Sequence, residues 1–119
     1  MEGECGMYTT LEDQQKGETE VLEGFLSKYE ECKRYIESAT SEEKLTPLYR
    51  NRLNIVEGVD TIYPTLNDDM KKIIEMRYWY KDYKSDWAEI ADELYMKVSR
   101  VRRLRDVIIR KFAEAIGWV

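Results

Sequence analysis

Residues 86–112 read DWAEIADELYMKVSRVRRLRDVIIRKF, and this stretch carries the pattern that best indicates the fold. Asp86 is a favourable N-cap, and Glu89 stands three residues later, where it can complete a capping box. Inward-facing residues follow at helical spacing: Ile90, Ala91 and Leu94. The pattern predicts a short helix that ends at the sequence YMK, residues 95–97.

A longer helix is predicted after that break. Its buried stripe consists of Val101, Leu104, Ile108, Phe112, Ala115 and Ile116. Gly117 suits the end of this helix because glycine adopts the left-handed backbone conformation easily. Ala91 is small enough for a close helix crossing, and Val101 is placed to face it. A short helix, a tight turn and a longer helix with these residues at the contact are typical of a helix-turn-helix.

Positive charge is concentrated on the longer helix. Residues 97–112 contain seven basic side chains and a single acid in a chain whose net charge is -5. At about 100° per residue, one group of side chains lies opposite Val101: Ser99, Arg102, Arg103, Asp106 and Arg110. Lys97 stands at the start of the helix and Arg100 on its flank. This face is either a surface that meets phosphates, a solvated surface, or a contact for a protein partner.

Three further helices are predicted before residue 86. They run over residues 18–38, from the cap Thr46 and Pro47 to Pro64, and from the cap Asn67 to Tyr80. The β-branched residues follow a period near 3.6, and neither an Asn-Gly nor an Asp-Gly turn is present, so no strand is predicted. The fold class is therefore all-α: an N-terminal helical hairpin followed by a three-helix bundle with the helix-turn-helix.

Charge divides the chain into regions. Residues 1–66 carry seven basic and fourteen acidic side chains, whereas residues 67–119 carry twelve and ten. We predict a flexible N-terminus over 1–17, an acidic helical hairpin over 18–63 and a helix-turn-helix domain over 64–119. The hairpin either joins two copies through its apolar stripes or packs on the third helix to complete a monomer core. We predict the first, a homodimer.

Composition excludes several classes of protein. The chain of 119 residues has no histidine and two cysteines, so it can build neither a Ser-His-Asp nor a Cys-His site, nor a structural zinc site from cysteines alone. It has no glycine-rich phosphate loop, and we predict neither an enzyme nor a cofactor. No apolar run reaches about 18 residues, and the first ten residues do not look like a signal peptide. A cytoplasmic protein without membrane contact is expected.

Residues 66–116 resemble region 4 of bacterial sigma factors, a DNA-binding region. The stretch LNDDMKKIIEMRYWY carries Met76, Arg77 and Tyr78 where that region often has a Leu-Arg-Tyr-like triplet. The segment from Glu89 to Ala91 reads EIA, as it often does there. The segments IIRKFAEAIG and FLSKYEECKRYIES are more specifically similar to the RinA and ArpU families of small phage transcriptional regulators.

The resemblance implies that the longer helix enters the major groove of double-stranded DNA. Arg102 and Arg103 would then lie near base edges, because the arginine fork meets O6 and N7 of guanine together. Val98 and Ser99 would be minor readers. The remaining basic residues of the predicted site would contact phosphates: Lys97, Arg100 and Arg110.

Two positions depart from the family pattern. Glycine usually occupies the turn position held by Tyr95, so this tyrosine is expected in a left-handed conformation that costs about 1 kcal/mol. A serine or threonine usually caps the recognition helix where Lys97 stands. The lysine cannot accept a hydrogen bond from the helix amides, although it can reach a phosphate.

The function implied by this resemblance is a sequence-specific transcriptional regulator, a phage or prophage late-gene activator acting in the cytoplasm of a bacterial host. The alternative is a phage adaptor or inhibitor that keeps the same shape but binds a host protein, such as bacterial RNA polymerase, without a DNA site of its own. Strongly salt-dependent duplex binding indicates the first function. Stoichiometric capture of a protein partner indicates the second.

Overall fold

Six α-helices form the part of the chain that the structure, a computed structural model, describes: residues 11–80 and 83–118. In chain order they are α1 (Leu11–Ser27), α2 (Tyr29–Ser38), α3 (Pro47–Ile62), α4 (Asp68–Ile74), α5 (Trp87–Leu94) and α6 (Val98–Ile116). No strand occurs in these two ranges, and the all-α prediction is confirmed. None of the described helices is long and apolar enough to cross a membrane.

The first two helices replace the single helix predicted over 18–38. Helix α1 begins at Leu11 because the residues before 18 are mostly good helix formers, although they carry no apolar stripe. The predicted flexible segment 1–17 therefore overlaps a helix, and its first ten residues lie outside the described ranges. At Lys28 the backbone turns to φ -93° and ψ 5°, which separates α1 from α2.

Helices α2 and α3 lie antiparallel. Thr46 caps α3 by accepting a hydrogen bond from the Tyr49 N–H at 3.2 Å, with Pro47 as the first helical residue, as predicted. Tyr29, at the start of α2, donates a hydrogen bond to Asp60 near the end of α3 at 2.6 Å. The Tyr29–Asp60 hydrogen bond joins the start of α2 to the end of α3, as an antiparallel arrangement requires.

Helix α4 ends in a wider turn than the sequence predicts. The Asn67 side chain accepts a hydrogen bond from the Met70 N–H at 2.9 Å, which confirms the predicted cap. After α4 the backbone continues as a π-helical turn over Glu75–Trp79. This turn carries Tyr78 into the core, where its side chain is buried.

Gly58 lets α3 and α6 cross closely. A Cβ atom at this position would lie 2.5 Å from Cγ2 of Ile116 and 3.2 Å from Cε1 of Phe112. The glycine weakens the apolar pattern of α3 in the sequence, but the space it leaves is filled by the C-terminal helix. Gly58 therefore allows α3 to pack closely against α6 and does not mark the end of a helix.

A single hydrophobic core joins all six helices. It includes Leu22 and Leu26 of α1, Cys32 of α2, Val59 of α3, Ile73 of α4, Ile90 of α5, and Ile108 and Phe112 of α6. Most of the apolar stripe residues between 18 and 63 are thus buried within one chain, although Val21 and Leu48 are 45% and 47% exposed. The hairpin therefore packs as in the alternative in which it completes a monomer core, and the homodimer stays a prediction.

Candidate nucleic-acid interface

Helices α5 and α6 are joined by a tight turn. The predicted capping box of α5 is present: the Glu89 N–H donates to Asp86 Oδ1 at 2.8 Å, and the Asp86 N–H donates to Glu89 Oε1 at 2.9 Å. Ala91 and Val101, the residues expected at the helix crossing, are both buried. The sequence therefore predicts both the start of α5 and the two residues buried between the helices.

Tyr95 forms the turn in a left-handed conformation, with φ 56° and ψ 45°. It is the single non-glycine residue with positive φ among the described residues, and its side chain is 97% exposed. The turn closes through a hydrogen bond of 2.9 Å from the Met96 N–H to the Ala91 carbonyl. The prediction that this tyrosine takes the conformation usual for glycine is confirmed, and no packing of the ring offsets its strain.

Replacing Tyr95 by glycine is expected to raise the free energy of unfolding by about 1 kcal/mol, because glycine adopts the left-handed conformation without steric cost. Thermal or urea denaturation measures the difference. Tyr95→Ala is the matched control, since it removes the ring but keeps a Cβ atom, and its stability should remain near that of the wild type. An equal gain in both variants would mean that the ring, and not the backbone, is the source of strain.

Lys97 occupies the N-cap of α6 without capping it. Its backbone is extended, with φ -77° and ψ 149°, and its side chain accepts no hydrogen bond from the helix amides. The side chain is exposed.

The structure exposes most of the predicted site residues along α6 and its start: Lys97, Ser99, Arg100, Arg102, Arg103 and Arg110. Val98 differs because it is partly buried and packs against the core. Only part of its surface can therefore reach a base edge. The other six side chains form the basic face of α6, which is exposed in the part of the chain that the structure describes.

Arg105 has a role within the chain that the sequence does not reveal. Its guanidinium group pairs with Glu23 of α1 at 3.2 Å and with Asp106 at 2.7 Å. These are the only ion pairs among the residues whose side chains the structure describes. Its guanidinium carbon lies 5.1 Å from the centre of the Trp87 ring. One of the seven basic residues counted in the sequence is thus used to hold α1, α5 and α6 together.

Glu23 connects the same cluster to the π-helical turn. Its carboxylate accepts hydrogen bonds from Arg105 and from the Tyr78 hydroxyl. Burial raises the pKa of Tyr78 far above its usual value, and the hydrogen bond to Glu23 raises it further. The phenol therefore stays protonated and acts as the donor. Glu23 and Arg105 are 82 residues apart in sequence, and no local pattern marks them as partners.

A groove runs between α1 and α6 and divides the basic residues of α6 into two groups. Three arginines line it and form what we call the groove flank: Arg102, Arg105 and Arg110. From α1 the groove is lined by Lys16 and by three carboxylates: Glu18, Glu20 and Glu23. The basic residues of α6 outside the groove form the open flank: Arg100, Arg103 and Lys111.

Comparison with known proteins gives no match to this chain among protein-family models, curated proteins or solved structures. The expected relation to sigma factor region 4 and to the RinA and ArpU families therefore stays a prediction from the residues quoted above. The exposed basic face of α6 is the feature of the molecule that bears on its function.

Proposed function

We propose that this protein is a sequence-specific DNA-binding regulator of transcription that reads the major groove with α6. In this proposal α4, α5 and α6 act as a helix-turn-helix bundle like that of sigma factor region 4. The regulator would belong with the phage late-gene activators of the RinA and ArpU type. The observation that carries the proposal is the exposed basic face of α6 in a chain with a net charge of -5.

Charge placement supports DNA as the partner. An acidic protein is repelled by the phosphate backbone unless its positive charge is gathered on one surface. Six of the seven basic residues between 97 and 112 are free of ion pairs to the other described side chains. Four of them are arginines with exposed guanidinium groups: Arg100, Arg102, Arg103 and Arg110. A face of this kind supplies both the phosphate contacts and the base-reading side chains that a recognition helix needs.

The geometry of α6 favours Arg103 as the main base-reading residue. It is exposed and lies outside the groove beside α1, so its side chain can extend toward a base edge. Val101 and Ile108 are buried on the opposite side of the helix and fix its rotation. Ser99 lies one turn earlier on the exposed face and is the second candidate. Lys97, at the N-cap, is placed to contact a phosphate.

The proposal is tested by replacing Arg103 with alanine and measuring binding to duplexes selected from a random pool. We expect affinity for the preferred duplex to fall by about 1–3 kcal/mol, with sequence preference relaxed at one base position, because a bidentate arginine–guanine contact is lost. Arg50→Ala is the matched control, since Arg50 is an exposed arginine of α3. Binding should be measured at two salt concentrations to separate base reading from phosphate contacts.

Two outcomes would contradict parts of this proposal. Equal losses on all duplexes would make Arg103 a phosphate contact instead of a base-reading residue. If neither salt concentration gives duplex binding and purified bacterial RNA polymerase forms a stoichiometric complex with the protein, the adaptor function replaces the DNA-binding function.

A further inference from the structure

The two flanks of α6 meet different electrostatic environments. On the groove flank, Arg102 and Arg110 line the same groove as Glu18 and Glu20 of α1. Both glutamates are exposed, so their charge reaches any molecule that enters the groove. On the open flank, Arg100 and Arg103 are exposed and are not among the residues that line the groove with α1. The basic face is therefore positive on one side and of mixed charge on the other.

Helix α1 is held firmly in this position. Leu26 is fully buried and Leu22 is 3% exposed, and both belong to the common core. The carboxylate of Glu23 bridges Arg105 of α6 and Tyr78 of the π-helical turn. To move α1 away from α6 would expose these apolar side chains and break the ion pair between Arg105 and Glu23. Glu18, Glu20 and Glu23 of α1, against the single cation Lys16, thus give the side of the groove formed by α1 a net negative charge in a fixed position along α6.

We infer that α1 keeps phosphates off the groove flank, so that a bound duplex lies off-centre on α6 and places its backbone on the open flank. This inference rests on the proposed DNA-binding function. Phosphates of a duplex in the groove would be repelled by the carboxylates of Glu18 and Glu20. This repulsion weakens as the distance and the salt concentration increase. Phosphate contacts then come from Lys97, Arg100 and Lys111. Arg102 and Arg110, which the family resemblance places near a base edge and a phosphate, would instead serve mainly to balance the glutamates of α1, so those two assignments are revised.

Removal of the negative charges of Glu18 and Glu20 is the first test. Glu18→Gln combined with Glu20→Gln should tighten binding to a random-sequence duplex about three- to tenfold at low salt, and the gain should shrink as salt is raised. The matched control is Glu37→Gln combined with Glu42→Gln. It changes the net charge equally at exposed residues of the other end of the hairpin, outside the groove. This control should change affinity by less than about twofold, because its charges lie outside the groove and are screened by salt.

Two arginines of α6 give the second test. Arg100→Gln on the open flank should reduce affinity several-fold and lower the slope of log K against log salt by about 1, as the loss of one phosphate contact does. Arg110→Gln on the groove flank should reduce affinity by no more than about twofold and leave that slope nearly unchanged. Both residues are exposed arginines of the same helix, so the comparison isolates the flank.

The results separate this inference from the proposed function. If the wild type binds duplex but the Glu18 and Glu20 variant binds no tighter than its control, or if Arg110→Gln costs as much as Arg100→Gln, the inference is overturned and the DNA-binding function stands. If no duplex binds the wild type or the variants at low salt, both are overturned. Circular dichroism melts of each variant show whether the fold is retained.

Discussion

Replacing Phe112 by alanine is expected to lower the free energy of unfolding by about 3–5 kcal/mol, the usual cost of removing a buried phenylalanine ring. Phe112 is fully buried and lies against Gly58 where α3 and α6 cross. A domain of this size is stable by only about 5–15 kcal/mol, so the variant should melt well below the wild type. Urea denaturation followed by circular dichroism measures the change.

The same experiment tests whether the chain unfolds as one unit. Because the core is common to all six helices, we expect a single transition in which the helices of residues 18–63 are lost together with α6. Phe112→Leu is the control, since it keeps most of the apolar volume and should cost much less. A two-step transition, with the N-terminal helices surviving the first step, would show that residues 18–63 have a core of their own.

Replacing Gly58 by valine is expected to destabilise the protein by about 1–3 kcal/mol through overpacking. Its Cβ alone would overlap Cγ2 of Ile116, and the neighbouring Phe112 ring is too deeply buried to move aside. Valine has a better helix propensity than glycine by a few tenths of a kcal/mol, which is too little to offset the overlap. Thermal denaturation gives the shift in melting temperature.

Gly24→Val is the matched control for Gly58→Val. Gly24 lies inside α1, and a Cβ atom there would have no neighbour within 4 Å. Its replacement should change the stability by no more than about 0.5 kcal/mol. If the two valine variants melt at the same temperature, α3 and α6 do not approach each other at Gly58 as closely as the structure shows.

The sequence predicts features of this fold that depend on neighbouring residues. The left-handed Tyr95 is an expectation from the family resemblance, whereas the capping box of α5 and the caps Thr46 and Asn67 follow from residue types at fixed short spacings. In each case the side chain and the backbone group it serves lie within a few residues of one another. Most of the buried stripe of α6 is equally local, because a helix of known period determines which side chains share a face. The prediction is wrong at Ala115, which is exposed, and it omits Ile109, which is buried.

Features that depend on contacts between residues far apart in the chain could not be predicted from the sequence. Nothing near Gly58 indicates that Ile116 fills the space beside it. The pairing of Glu23 with Arg105 is equally hidden, and it removes one arginine from the basic face. The break at Lys28 is unmarked as well, since neither glycine nor proline stands there. An apolar stripe shows which side of a helix is buried but not what buries it, and for this reason the stripes of residues 18–63 suggested a second copy of the chain.

The common core also limits how this protein can evolve. A recombination breakpoint near Pro64 would separate Val59 from Phe112 and leave each half with apolar surface that only the other half covers. The two halves therefore have to be inherited together. Under the proposed function, a new binding preference would arise by substitutions on the exposed face of α6, at residues such as Ser99 and Arg103, and not by exchange of a separate domain.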